Sequence, residues 1–206
     1  MPEPLRVGVL ASGRGSNFRA LAEAAASGRM PAAIVVLVTD RPEAGALGIA
    51  RELGIEALTL DPRAHPSREA HEKAVIAALE ERRVALVCLA GYMRLLSGSF
   101  VGHFAGRLLN IHPSLLPAFP GLRPQRQALE HGVRISGATV HFVDEGVDTG
   151  PIVLQAAVPI RPDDTPAALA DRILAAEHRL YPEAVRLFAL GRLEIRGRRV
   201  EIRETP

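Results

Sequence analysis

Leu5-Arg6-Val7-Gly8-Val9-Leu10-Ala11-Ser12-Gly13-Arg14-Gly15-Ser16-Asn17 decides the architecture of this 206-residue chain. Leu5 to Leu10 reads as a buried first strand and Ala11 to Gly15 as a turn of small residues. Asn17 to Ala26 then reads as an alanine-rich helix. Strand, glycine turn and helix in that order open a parallel β-α-β unit. The glycines let a ligand approach the backbone, and a helix N-terminus offers unpaired N–H groups to an anion. A dinucleotide fingerprint would place a further glycine three residues after Gly15, where this chain has Phe18. The loop therefore suits one phosphate better than a dinucleotide, with a plain tight turn as the alternative.

Working outward, Ile34 to Val38 is a β-branched strand, and Arg41-Pro42 is expected to open a helix through about Leu53. A short strand near Ala57 to Leu60 follows. Ser67 caps a long helix to Glu81, with Ala70, Ala74, Ala77 and Ala78 on its apolar side. Val84 to Ala90 and Arg107 to Ile111 are further strands, so the fold class is α/β with a doubly wound sheet. Beyond Pro113 the rhythm changes. A proline-rich loop reaches Pro124, and a short helix covers Gln125 to Glu130. Strands at 138–143 and 152–158 flank a Gly/Asp loop. A last helix is capped by Thr165, starts at Pro166 and reaches about Leu190, with a kink expected at Pro182. Residues 1–206 read as one domain.

Hydrophobic residues make up 48% of the chain, enough for a continuous core, and no apolar run reaches the roughly 18 residues that suggest a membrane span. The N-terminus, Met1 to Pro4, has no signal-peptide pattern, so a cytoplasmic address is expected. The net charge is only +2. The one basic cluster, Arg192 to Arg203, alternates with Leu193, Ile195, Val200 and Ile202, as the solvent side of a two-stranded ribbon would. Neither a nucleic-acid nor a membrane partner is expected. Cys88 is the sole cysteine and reads as buried core, and the histidines lack close metal-ligand spacing, so no metal is expected.

Two further stretches carry chemistry. In Asn110-Ile111-His112-Pro113-Ser114-Leu115-Leu116-Pro117, Asn110 and His112 are two apart, so both side chains can emerge on one side of a strand end. Pro113 stops the ladder. An amide donor beside an imidazole suits stabilisation of an oxyanion, and a polar strand end is the plainer alternative. Asp144-Glu145-Gly146-Val147-Asp148-Thr149-Gly150 lacks the spacing of a calcium loop and reads as an acidic turn. A carboxylate from it would orient His112 and favour its charged form.

The stretch from Asn110 to Pro117 resembles the signature of the folate-dependent formyltransferases, and Asp148 falls where their essential aspartate stands. The similarity is strongest to the branch that acts on glycinamide ribonucleotide in purine synthesis. It takes in Gly13 to Asn17, Ser67 to Ala70, Leu89 to Leu96, Ala105 to Leu109 and Glu177 to Pro182. The resemblance implies a single-domain, Rossmann-like formyltransferase fold with a mostly parallel sheet flanked by helices and a C-terminal β-ribbon. It implies a phosphate-binding half, about 1–105, and a catalytic and folate-binding half, about 106–206.

By the same resemblance, Asn110, His112 and Asp148 are catalytic. Gly15, Ser16, Asn17 and Glu177 hold the ribonucleotide. Arg68, Met93, Arg94, Leu95 and Leu96 line the pocket for 10-formyltetrahydrofolate, together with Asn110 and Asp144, Glu145, Gly146, Val147 and Asp148. The implied partners are those two small molecules, in a monomer or homodimer. Where the family often has histidines, this chain reads Arg123-Pro124-Gln125-Arg126, and no catalytic role is assigned there. A methionyl-tRNA formyltransferase needs a further C-terminal domain, for which a chain ending at Pro206 is expected to leave no room. A formyltetrahydrofolate hydrolase usually carries an extra N-terminal domain. It and a silent binding module are the alternatives.

Overall fold

The computed structural model describes residues 3–204. The N-terminal expectation therefore falls partly on Met1 and Pro2, outside the described residues. The first half runs β1 (Leu5–Leu10), α1 (Ser16–Ala26), β2 (Ala32–Thr39), α2 (Gly45–Glu52), β3 (Ala57–Thr59), α3 (Arg68–Glu81), β4 (Leu86–Leu89), α4 (Gly98–His103) and β5 (Leu108–His112). The second half runs α5 (Pro124–Glu130), β6 (Ile135–Phe142), β7 (Ile152–Pro159), α6 (Pro166–Ala189), β8 (Leu193–Arg196) and β9 (Arg199–Ile202). One sheet takes all nine strands in the order β3-β2-β1-β4-β5-β6-β7-β9-β8. Pairing is parallel from β3 to β5, then antiparallel for β5–β6 and β6–β7. The C-terminal ribbon, β8 with β9, joins β7 through a single pair, Ile152 with Arg199.

Strand alternation sends side chains to two cores. Val7, Val9, Leu37 and Cys88 pack with Phe18 and Leu21 of α1 and Tyr181 of α6. Leu10, Val36, Val38 and Val87 pack on the other face with Val75 and Leu79 of α3 and Phe100 of α4. Cys88 is fully buried, and burial pushes its thiol up to about 12. The Tyr181 hydroxyl lies within hydrogen-bond reach of the carbonyls of Leu89 (3.1 Å) and Leu109 (3.0 Å), tying β4 to β5 beneath Asn110.

Several sequence expectations shift. The helix expected from Arg41 begins at Gly45, because Thr39 Oγ1 accepts the Arg41 N–H (3.2 Å) and holds a turn there. The strand expected over 84–90 is trimmed to Leu86–Leu89, and the one expected at 107–111 sits one residue later, which brings His112 into the ladder opposite Thr139. Of the four alanines expected on the apolar side of α3, only Ala78 is buried. His71, Glu72, Val75 and Leu79 are buried with it, since the larger Val75 and Leu79 remove more apolar surface from water than alanines would. Helix α4 was not foreseen in the sequence. Helix α6 continues past Pro182 to Ala189. No helix among the described residues is long and apolar enough to cross a membrane. Two of the ribbon's arginines pair with acids, Arg196 with Glu194 (3.1 Å) and Glu201 (3.3 Å), and Arg203 with Glu194.

Candidate active site

Strand order reverses at β1, whose neighbours are β2 and β4, and in open α/β sheets ligands bind in the crevice at such a point. The turns after β1 and β4 bound a cleft of about 250 Å³, lined by Gly13 to Asn17, Ala90, Gly91 and Met93, with Glu177, Pro113 and Gln125 closing it. Gly15 caps α1 with φ 80°, and a Cβ there would lie 2.7 Å from the Cα and Cβ of Ala46. Glycine is required on both counts. Asn17 Nδ2 donates to Glu177 Oε2 (2.7 Å), while Asn17 Oδ1 is buried without a partner among the described residues. Burial raises the Glu177 carboxyl above its usual range, against the pull of Asn17. Ser12 joins the two loops: its N–H donates to Gly91 O (3.1 Å) and its Oγ accepts the Met93 N–H (2.9 Å).

Asn110 and His112 leave β5 on one side, as their spacing required, and Asp148 is brought to them from the acidic loop. His112 Nδ1 lies 3.3 Å from Asp148 Oδ2, and Gly121 N–H donates to the same oxygen (2.8 Å). Asp148 has φ 56°, so its side chain is aimed by a left-handed backbone. Asp144 Oδ1 braces the loop by accepting from Thr149 Oγ1 (2.6 Å) and from Gly146 N–H (3.2 Å). A Cβ on Gly150 would stand 1.8 Å from Phe142 O, so the loop returns too tightly for any side chain there.

His141 is a member that the sequence reading missed. It lies on β6 opposite Asn110, and Asn110 Nδ2 is 3.1 Å from its Nε2. His141 Nδ1 lies 2.8 Å from the Phe142 carbonyl, which can only accept, so Nδ1 carries the hydrogen. In the neutral ring Nε2 then accepts from the Asn110 amide, whose second hydrogen remains a free donor. Asp148 Oδ1 is 3.7 Å away, beyond a direct hydrogen bond.

His112 Nε2 lies 2.9 Å from Phe119 O and by the same reasoning carries a hydrogen. Burial lowers the His112 pKa, outweighing that bond and the nearby Asp148 charge. Burial would raise the Asp148 carboxyl, but His141, the Gly121 N–H and His112 hold it below its usual range. Asp148 thus favours the charged form of His112, while burial opposes it. Nδ1 and Oδ2 face each other at 3.3 Å, close enough for the pair to share a proton.

Arg68 and the segment 93–97 lie beside this centre. Arg68 Nη2 donates to Leu95 O (2.7 Å). Met93, Leu95 and Val147 are exposed, as is Leu122, which the sequence reading did not select. Leu96 instead packs against the core beside α3. Arg94 lines a separate depression with Asp40, Arg41, Asp61 and Arg63. Thr139 anchors the proline-rich loop, donating to Ser114 O (2.7 Å) and accepting from Leu116 N–H (3.1 Å).

Acid should weaken this fold before it titrates most carboxylates. Burial lowers the pKa values of His71, His112 and His178 below 6.5. Below that value the unfolded chain binds more protons at these sites, so stability falls as the pH drops. Glu177, raised, acts in the opposite direction, but alone against three histidines. The urea midpoint should therefore drop between about pH 7.5 and about pH 5.5. A midpoint that held or rose would contradict the buried neutral histidines.

The formyl transferase family model matches residues 5–185. The trifunctional purine biosynthetic protein adenosine-3 of Drosophila melanogaster is 49% identical over 191 residues, covering 90% of this chain but 14% of that protein. The chain thus spans a small fraction of the length of the multifunctional relatives it matches. The phosphoribosylglycinamide formyltransferase of Escherichia coli K12 is 42% identical, covering 93% of this chain and 90% of its own. The crystal structure of glycinamide ribonucleotide transformylase 1 from Symbiobacterium toebii superposes with a TM-score of 0.97 at 55% identity, over 99% of this chain and 96% of that one.

Proposed function

Since the chain belongs to the formyl transferase family, we propose that it moves the formyl group of 10-formyltetrahydrofolate onto the amine of glycinamide ribonucleotide, a step of purine synthesis. The observation that carries this reading is the meeting of Asn110, His112 and Asp148 beside a cleft at the sheet's switch point. In this reading the N–H groups of Gly15, Ser16 and Asn17 hold the ribonucleotide phosphate. Glu177, held by Asn17, takes the ribose hydroxyls. Arg68, the segment Met93 to Leu96 and the loop Asp144 to Asp148 receive the folate. The exposed apolar side chains of Met93, Leu95 and Val147 suit a flat, largely apolar ring system.

The amine attacks the formyl carbon, and negative charge collects on the formyl oxygen. Asn110 supplies the amide hydrogen not engaged by His141. His112 Nε2–H transfers its hydrogen bond from Phe119 O to that oxygen. The Asp148–His112 pair takes the proton that the amine loses, so His112 becomes cationic as the oxyanion forms. That proton is then available to the departing folate nitrogen.

The test is a comparison of acceptors. Folate deformylation should depend on glycinamide ribonucleotide and be negligible with water or methionine-charged tRNA. Turnover at the same rate without ribonucleotide would make the chain a hydrolase, and no turnover with any acceptor would make it a binding module.

A further inference from the structure

Glu72 is buried on α3, on the side away from Ala70, Ala74 and Ala77, and it accepts three hydrogen bonds from two residues. Its Oε1 accepts from Ser97 N–H (2.9 Å) and from Arg68 Nε (3.1 Å), and its Oε2 accepts from the Ser97 hydroxyl. Arg68 in turn donates through Nη2 to Leu95 O (2.7 Å). Ser97 also caps α4, its Oγ accepting the Phe100 N–H (3.2 Å). The carboxylate is 6% exposed as a residue, so its charge is placed where only paired charges are tolerated.

The other end of this segment is held from a different direction, by Ser12 Oγ on Met93 N–H. Between the two anchors the chain has no helix or strand. No described residue accepts from the N–H groups of Arg94, Leu95 or Leu96. Irregular backbone beside a site keeps its shape only through such fixed points.

We propose that Glu72 is a positioning residue for the folate pocket: it sets the backbone of residues 93–97 through Ser97 and, by way of Arg68, through the Leu95 carbonyl. This rests on the reading of that segment as folate-binding. Glu72 touches neither substrate, and its influence on the reaction passes through the shape of the segment. The ribonucleotide cleft is built mainly from the turn after β1 and from α6, which Glu72 does not contact; of the segment it shares only Met93, the end held by Ser12 rather than by Glu72.

The test uses purified full-length protein with Glu72→Gln, Glu72→Asp, Ser97→Ala and the Glu72→Gln/Ser97→Ala double substitution. Glu72→Gln should raise the KM for 10-formyltetrahydrofolate roughly ten-fold, as one lost charge-assisted hydrogen bond does. The KM for glycinamide ribonucleotide and the thermal midpoint should change much less. Glu72→Asp, which keeps the charge, should recover part of the loss. The double variant should lose little more than the single ones, because the two residues act through one contact. Equal increases in both KM values, a folate KM unchanged in Glu72→Gln, or fully additive losses would each overturn the proposal. Should Glu72→Gln fail to fold, the Ser97→Ala folate KM decides alone, and an unchanged value overturns it. Absence of any formyl transfer by the unsubstituted protein would instead sink the functional reading on which the proposal rests.

Discussion

Replacing Asp148 by asparagine should cut kcat by roughly a hundred- to ten-thousand-fold while leaving ribonucleotide affinity close to that of the parent. The carboxamide has the same size, and its oxygen can still accept the Gly121 N–H. What changes is the charge, because His112 Nδ1 faces that same oxygen at 3.3 Å. The carboxylate shares a proton arriving there and stabilises the imidazolium. A neutral amide oxygen in that place has no charge with which to do so. The pair can then neither take the amine proton nor strengthen the Nε2–H donor. Ribonucleotide affinity is spared because the switch-point cleft is lined by other residues. Steady-state kinetics with calorimetric titration of the ribonucleotide separates the two quantities. A variant with the parent's kcat would remove Asp148 from the chemistry.

The second large effect is expected from Asn110→Ala. Loss of one preorganised oxyanion donor costs about a hundred- to a thousand-fold in kcat, or roughly 3–4 kcal/mol of transition-state stabilisation. The KM for the ribonucleotide should move little, since an interaction made only in the transition state lowers kcat and kcat/KM together. The substitution also removes the hydrogen that His141 Nε2 accepts. His141→Ala should therefore reproduce part of the loss through a misplaced Asn110 amide. A raised KM with unchanged kcat in Asn110→Ala would mark it as a binding residue.

Much of this architecture can be read from local sequence because its signals are local. The apolar runs of β1, β2 and β4, the glycine turn before α1 and the Thr165 cap of α6 each declare themselves within a few residues. The two-residue spacing of Asn110 and His112 fixes their common side without knowledge of any neighbour. Helix α4 is different: six residues with a serine cap give no periodicity to detect. The buried side of α3 was misread because four alanines at helical spacing mimic an apolar stripe, whereas packing follows Val75 and Leu79.

His141 and Glu72 were missed, and so was the bond from Met93 to Ser12, for a shared reason. Each acts across a pairing distant in sequence: His141 on Asn110 through the β5–β6 register, Ser12 on Met93 across β1 and β4, and Glu72 on Ser97 from α3. Register is decided by the whole sheet, and no spacing within one segment reveals it. An even number of residues from Thr139 to His141 does place both on one side of β6, which was the only available hint.

The most direct measurement follows the formyl carbon itself. With a donor labelled at that carbon and glycinamide ribonucleotide as acceptor, product analysis by mass spectrometry should find the label on the ribonucleotide amine. Asp148→Asn should form that product far more slowly. Label recovered as formate at a rate indifferent to the ribonucleotide would contradict transfer to the amine.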